Sequence, residues 1–106
     1  MLAVDPRWAA ELELDRRCIA GLVSISGFHH VDRLAPSRPK HVWGEDPEGW
    51  IDASPAHRAS ADAPPALLLW ADGDAEDRRL DGRDFGARLA GLGVDHRVLA
   101  RDELWY

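Results

Sequence analysis

The chain has 106 residues, 45% hydrophobic and 30% charged, with Lys+Arg 13 against Asp+Glu 19 and a net charge of -6. That length holds one domain or part of one. The acidic balance, with Lys40 as the only lysine, argues against nucleic acid and anionic membrane as main partners. The single Cys18 excludes an internal disulfide and a cysteine-only zinc site, and reads as a small apolar side chain. Met1-Leu2-Ala3-Val4-Asp5 is too short an apolar run for a signal peptide, and no stretch approaches a membrane span. A cytoplasmic location is the resulting expectation.

Asp5-Pro6 predicts a helix start, with Asp at the N-cap and Pro at the first helical position. Trp8 and Leu12 would share a face of that helix. Ile19 to Ser26 predicts the first strand, because Ile19, Leu22, Val23 and Ile25 are apolar and largely β-branched, and Gly27 ends it. Residues 28–65 hold Pro36, Pro39, Pro47, Pro55, Pro64 and Pro65, a density that rules out a long regular helix. They predict an irregular, lid-like excursion. Trp43 and Trp50 fall inside it and point to a packed segment that could wall a cleft.

Leu67 to Ala71 predicts the second strand, in an uncharged run that suits burial on both faces of a parallel sheet. Leu80 to Leu92 predicts the best helix: Phe85, Leu89 and Leu92 recur at helical spacing, Asp84 and Arg88 pair on another face, and Gly91 and Gly93 stop it. Arg97 to Ala100 predicts a short third strand near an edge. Strand–helix–strand at this spacing is a right-handed parallel crossover. The expected fold class is therefore α/β, three-layer, with a parallel sheet of about three strands and flanking helices. A single domain over 1–106 is expected.

Ligands bind open α/β sheets just beyond the carboxyl ends of the strands. Asp74, just past the second strand in Ala71-Asp72-Gly73-Asp74, is therefore placed to support catalysis. A plain turn role is the alternative, since Asp and Gly favour turns for local reasons. Asp72, Asp74, Glu76 and Asp77 begin like a calcium loop, but Asp77 stands where glycine is required and Arg83 where the bidentate glutamate belongs. A solvated acidic loop is the better reading. His29-His30 follow the first strand, either in an exposed loop or, at a strand end, in a substrate pocket. His41, His57 and His96 form no metal-binding pattern, so no metal is expected.

Ile19-Ala20-Gly21-Leu22-Val23-Ser24-Ile25-Ser26-Gly27, Trp43-Gly44-Glu45-Asp46-Pro47-Glu48-Gly49-Trp50, Ala53-Ser54-Pro55, Ala61-Asp62-Ala63-Pro64-Pro65-Ala66-Leu67-Leu68-Leu69 and Gly73-Asp74 follow one another along the chain. This ordered set resembles the α/β-hydrolases, and within them the small esterase and kynurenine-formamidase-like group, over roughly residues 3–103. The resemblance implies a partial α/β-hydrolase fold and a Ser–Asp–His triad without cofactor. Asp74 carries over as the triad acid. No G-x-S-x-G occurs in the chain, and the match begins after that elbow, with residues 1–4 at the end of the helix that follows it.

The nucleophile and oxyanion donors are thus expected upstream of Met1. Glu103 occupies the position the resemblance gives to the histidine, and glutamate has no second ring nitrogen to accept the serine proton while bonded to the aspartate. Two functions follow from different premises. One is hydrolysis of a carboxylic ester or aryl-formyl amide by the complete parent, with Trp43 and Trp50 either packed or lining its acyl pocket. The other is a non-catalytic, hydrolase-derived binding remnant. The strand at Ile19–Ser26 is expected to offer an open, apolar edge for self-association.

Overall fold

A computed structural model describes residues 1–34 and 37–101. Three strands, β1 (Leu22–Ile25), β2 (Ala66–Ala71) and β3 (His96–Arg101), form one parallel sheet in the order β1-β2-β3. Among the described residues, five α-helices accompany them: α1 (Pro6–Glu11), α2 (Ser37–Trp43), α3 (Pro47–Asp52), α4 (Pro55–Arg58) and α5 (Glu76–Gly91). This is an α/β arrangement of a three-stranded parallel sheet with flanking helices.

The register sets Val23 beside Leu67 and Arg97, and Ile25 beside Leu69 and Leu99. Side chains alternate across a strand, so Ser24, Leu68 and Val98 face the opposite way. That second face carries the core, where Leu68 and Trp70 meet Phe85 and Leu89 of α5, with Val4, Ala56, Ala59 and Val94 around them. Gly86 lets α5 lie close, since a Cβ there would reach Val98 Cγ2 at 3.4 Å and Leu68 Cδ1 at 3.6 Å. The other face keeps Val23 61%, Ile25 52% and Leu99 39% exposed. A second helical layer of a three-layer arrangement would cover that face.

Several elements differ from the sequence expectation. The first strand begins at Leu22 rather than Ile19, and Ser26, at φ 48, turns the chain before Gly27. The strongest helix starts at Glu76, four residues ahead of Leu80, so Glu76 and Asp77 open α5 instead of belonging to a solvated loop. Two acidic residues in a first turn are favoured by the helix dipole. Among the described residues, the proline-rich excursion contains a 3-10 turn at Val31–Arg33 and three short α-helices, the longest of seven residues.

Pro47 and Pro55 stand at the starts of α3 and α4, where a missing N–H costs nothing. Asp5 caps α1 by accepting from the Arg7 amide at 3.0 Å, as the sequence predicts, yet Trp8 and Leu12 are exposed and Ala9 is the buried residue of that helix. Cys18 is exposed rather than an interior side chain. Among the described residues, no helix is long and apolar enough to cross a membrane.

Candidate functional site

Parallel pairing brings the carboxyl ends of β1 and β2 to one rim. Asp74 sits there: its Oδ2 accepts from Ser26 Oγ at 2.5 Å and from the Ala71 amide at 3.1 Å. The Ser26 hydroxyl holds the Asp74 carboxyl below its usual range, against a smaller upward push from burial. Both bonds fall on Oδ2, and among the described residues Oδ1 accepts none. Arg78 completes the rim by donating from Nη1 to the Ser26 carbonyl at 2.7 Å while its guanidinium lies 4.0 Å over the Phe28 ring. Asp74 and the β1 terminus therefore share a rim, with both bonds to Asp74 held on Oδ2 among the described residues. Glu103, the residue at the expected histidine position, lies outside the described residues.

A second polar cluster lies deeper, between β1 and α5. Asp81 accepts four hydrogen bonds: Oδ2 takes the His29 amide at 2.8 Å and His29 Nδ1 at 2.7 Å, and Oδ1 takes the His30 amide at 2.9 Å and His30 Nδ1 at 2.6 Å. His29 and His30 are 6% and 5% exposed, so the exposed-loop reading of the pair is overturned. The reason is Asp81 itself, which gives both imidazoles and both amides a buried acceptor. Burial pushes the Asp81 carboxyl up, but bonds from the two imidazoles and the His29 amide outweigh it and hold the group well below the usual carboxylate range. His29 also stacks on Phe85, with ring centroids 4.3 Å apart. Its Nε2 lies 2.8 Å from Ser24 Oγ.

Two cavities flank this cluster. One, of about 220 Å³, lies on the His30 side and is bounded by Phe28, Leu34, Leu80 and the Arg33–Asp84 ion pair. The other, of about 180 Å³, opens on Ser24 and His29 between Val4, Leu22, Phe28 and Pro55. Neither is lined by Trp43 or Trp50. Trp43 is exposed, and Trp50 Nε1 donates to the Gly44 carbonyl at 2.8 Å, a bond internal to the excursion. His57 pairs with Asp32 at 3.1 Å, and His96 Nδ1 donates to the Val94 carbonyl at 3.0 Å. Among the described residues, no group of three or more His, Cys, Asp or Glu side chains is arranged to hold a metal ion.

Asp81 was not singled out by the sequence, although a signal existed. It continues the Phe85–Leu89 stripe one turn earlier, so it is a charged residue on the face of α5 that meets the sheet. A buried carboxylate needs partners, and the histidine pair after β1 supplies them.

No family model matches the sequence, and no curated protein matches it. Among solved structures, the chain is similar to an acetyl ester-xyloside bifunctional hydrolase from Caldicellulosiruptor lactoaceticus, at 20% identity and a TM-score of 0.67. The similarity covers 81% of this chain and 37% of that one. At this identity the comparison shows a shared fold, and the chain spans little more than a third of the protein it matches.

Proposed function

We propose that the chain is the carboxyl-terminal, acid-bearing part of an α/β-hydrolase that cleaves a carboxylic ester or an aryl-formyl amide through an acyl-serine. Asp74 is its triad acid. The observation that carries this reading is the posture of Asp74: it sits at the carboxyl end of β2, with Oδ2 anchored by Ser26 and the Ala71 amide, and among the described residues Oδ1 takes no such bond. An aspartate so held can accept Nδ1–H of a histidine, fix its tautomer, and stabilise the imidazolium as the serine proton moves. The hydrolase-like fold supports the same reading, as does the position of Asp74 on the strand-end rim where such folds bind ligands.

The serine and its oxyanion donors come, on this reading, from sequence before Met1. The 106-residue chain alone is then expected to show no Asp74-dependent turnover of a short-chain nitrophenyl ester. Joined in frame to the segment encoded upstream, it is expected to hydrolyse that ester, and Asp74→Asn should lower kcat roughly ten-thousand-fold. An upstream segment without a serine elbow, or an Asp74→Asn protein as active as its parent, would remove the assignment. The absence of G-x-S-x-G favours the second reading, a non-catalytic binding remnant, which expects no turnover in either form.

A further inference from the structure

We propose that Ser24, His29 and Asp81 form a second serine relay, independent of Asp74, in which Ser24 Oγ is a nucleophile toward small esters. The geometry runs in one line. Ser24 Oγ lies 2.8 Å from His29 Nε2, and His29 Nδ1 lies 2.7 Å from Asp81 Oδ2. A carboxylate only accepts, so Nδ1 carries the proton and Nε2 presents its lone pair to the Ser24 hydroxyl. That is the arrangement a general base requires. Asp81 touches no substrate and is a positioning residue; the Phe85 ring, stacked on His29, fixes the imidazole plane.

Two further observations separate this array from a hydrogen bond formed only for packing. First, Ser24 and His29 both line the cavity of about 180 Å³, so the oxygen and its base meet a space rather than a wall. Second, position 27 is glycine, and a Cβ there would fall 2.5 Å from Ser24 Oγ and 3.3 Å from His29 Nε2. Glycine therefore lets the turn pass close to the Ser24 hydroxyl without pushing it off the imidazole. The small, mainly apolar cavity fits a short acyl group rather than a long chain or a charged one.

In the reaction, the bond from Ser24 Oγ to the ester carbonyl carbon forms as the hydroxyl proton passes to His29 Nε2. The bond from that carbon to the leaving oxygen then breaks, and this oxygen takes the proton from Nε2 and departs as the alcohol. Water repeats the sequence on acyl-Ser24, losing a proton to Nε2, and releases the carboxylic acid with the serine restored. An alkyl fluorophosphonate stops at the first stage: the Oγ–P bond forms, the P–F bond breaks, fluoride leaves, and the proton goes through His29 to solvent.

The test incubates the 106-residue chain with a short alkyl fluorophosphonate and locates the adduct by peptide mass spectrometry. One adduct on the peptide holding Ser24 is expected, lost in Ser24→Ala and slowed about a hundredfold in His29→Gln, the scale of a lost general base. Gly27→Ala, whose Cβ would crowd Ser24 Oγ at 2.5 Å and displace the hydroxyl from His29 Nε2 while leaving both side chains chemically intact, should slow it comparably and gives a second readout beside the His29 variant. Long-range nitrogen–proton spectra should show His29 as the Nδ1–H tautomer. A folded chain, checked by circular dichroism, that takes no label or takes it at another serine would overturn the proposal. So would unchanged labelling in Gly27→Ala, or an Nε2–H tautomer. Because the adduct is mapped in the chain lacking any elbow serine, failure here leaves the Asp74 reading intact, and the reverse also holds.

Discussion

Asp81 is a buried carboxylate that holds two imidazoles and two backbone amides at once, so its loss should be strongly felt. Four donors converge on its two oxygens in a site only 4% exposed. In Asp81→Asn one oxygen becomes an amide that can only donate, so two donors lose their acceptor and face another donor. Stranding buried polar groups in this way costs about 3 kcal/mol, a large part of the stability expected of a domain this size. The effect should depend on pH. The folded carboxyl titrates below the unfolded one, whose value is about 3.9, so the unfolded state binds more protons in acid. The stabilisation is thus complete above about pH 4 and is lost as pH falls further. Urea unfolding at pH 7 and pH 3 should show a large gap between wild type and Asp81→Asn at the first and a smaller gap at the second. Equal gaps would mean that the carboxylate form is not what stabilises the site. Asp5, also held low despite burial by its bonds to Arg7, keeps some acid sensitivity in the variant.

At the scale of elements, α5 shows how glycine spacing sets the distance between helix and sheet. A Cβ on Gly82 would lie 2.9 Å from Trp70 Cε3 and 3.0 Å from Cζ3, whereas a Cβ on Gly91 would meet nothing within 4 Å. Alanine gains about 1 kcal/mol over glycine in a helix, and overpacking a core costs about 1–3 kcal/mol. Gly82→Ala should therefore lower Tm by several degrees and shift Trp70 fluorescence, while Gly91→Ala should hold or raise Tm. Thermal melts that move both variants the same way would sink this account. The same helix shows what sequence carries. Its apolar stripe of Phe85 and Leu89 was legible because it repeats at helical spacing, but its polar first turn, Glu76 and Asp77, lies outside that stripe and resembled a loop. β2 was legible because an uncharged run in a parallel sheet has one natural place. The Asp-Pro signal that marks α1 also stands at Asp46-Pro47, where it opens α3, with a Ser-Pro counterpart at α4. There the surrounding proline density masked it. The Ser24–His29 contact was not legible at all, because it depends on the turn at Ser26 and on a buried Asp81 far along the chain.

For the whole molecule, the decisive feature is that β1 ends the sheet of described strands. The Leu22 amide donates to the Pro65 carbonyl at 2.9 Å and the Ser26 amide to the Leu69 carbonyl at 2.8 Å, so alternation turns the amides of Val23 and Ile25 to the free edge. Both side chains are among the most exposed apolar groups on the chain, and they continue through Leu69 to Leu99 across the uncovered face. An edge of this kind, without lysine, proline or inward charge, recruits other strands. The 106-residue chain is therefore expected to self-associate at micromolar concentration, by sedimentation and light scattering. Each copy carries a net charge of -6, so added salt should strengthen the association by screening repulsion. Val23→Lys places a charge on a side chain already 61% exposed, so it should disfavour pairing with little cost to the fold. A wild-type chain that remains monomeric, with slow amide exchange at Val23 and Ile25, would show that the edge is already paired within one copy. It would also end the case for a sheet completed by chain from elsewhere.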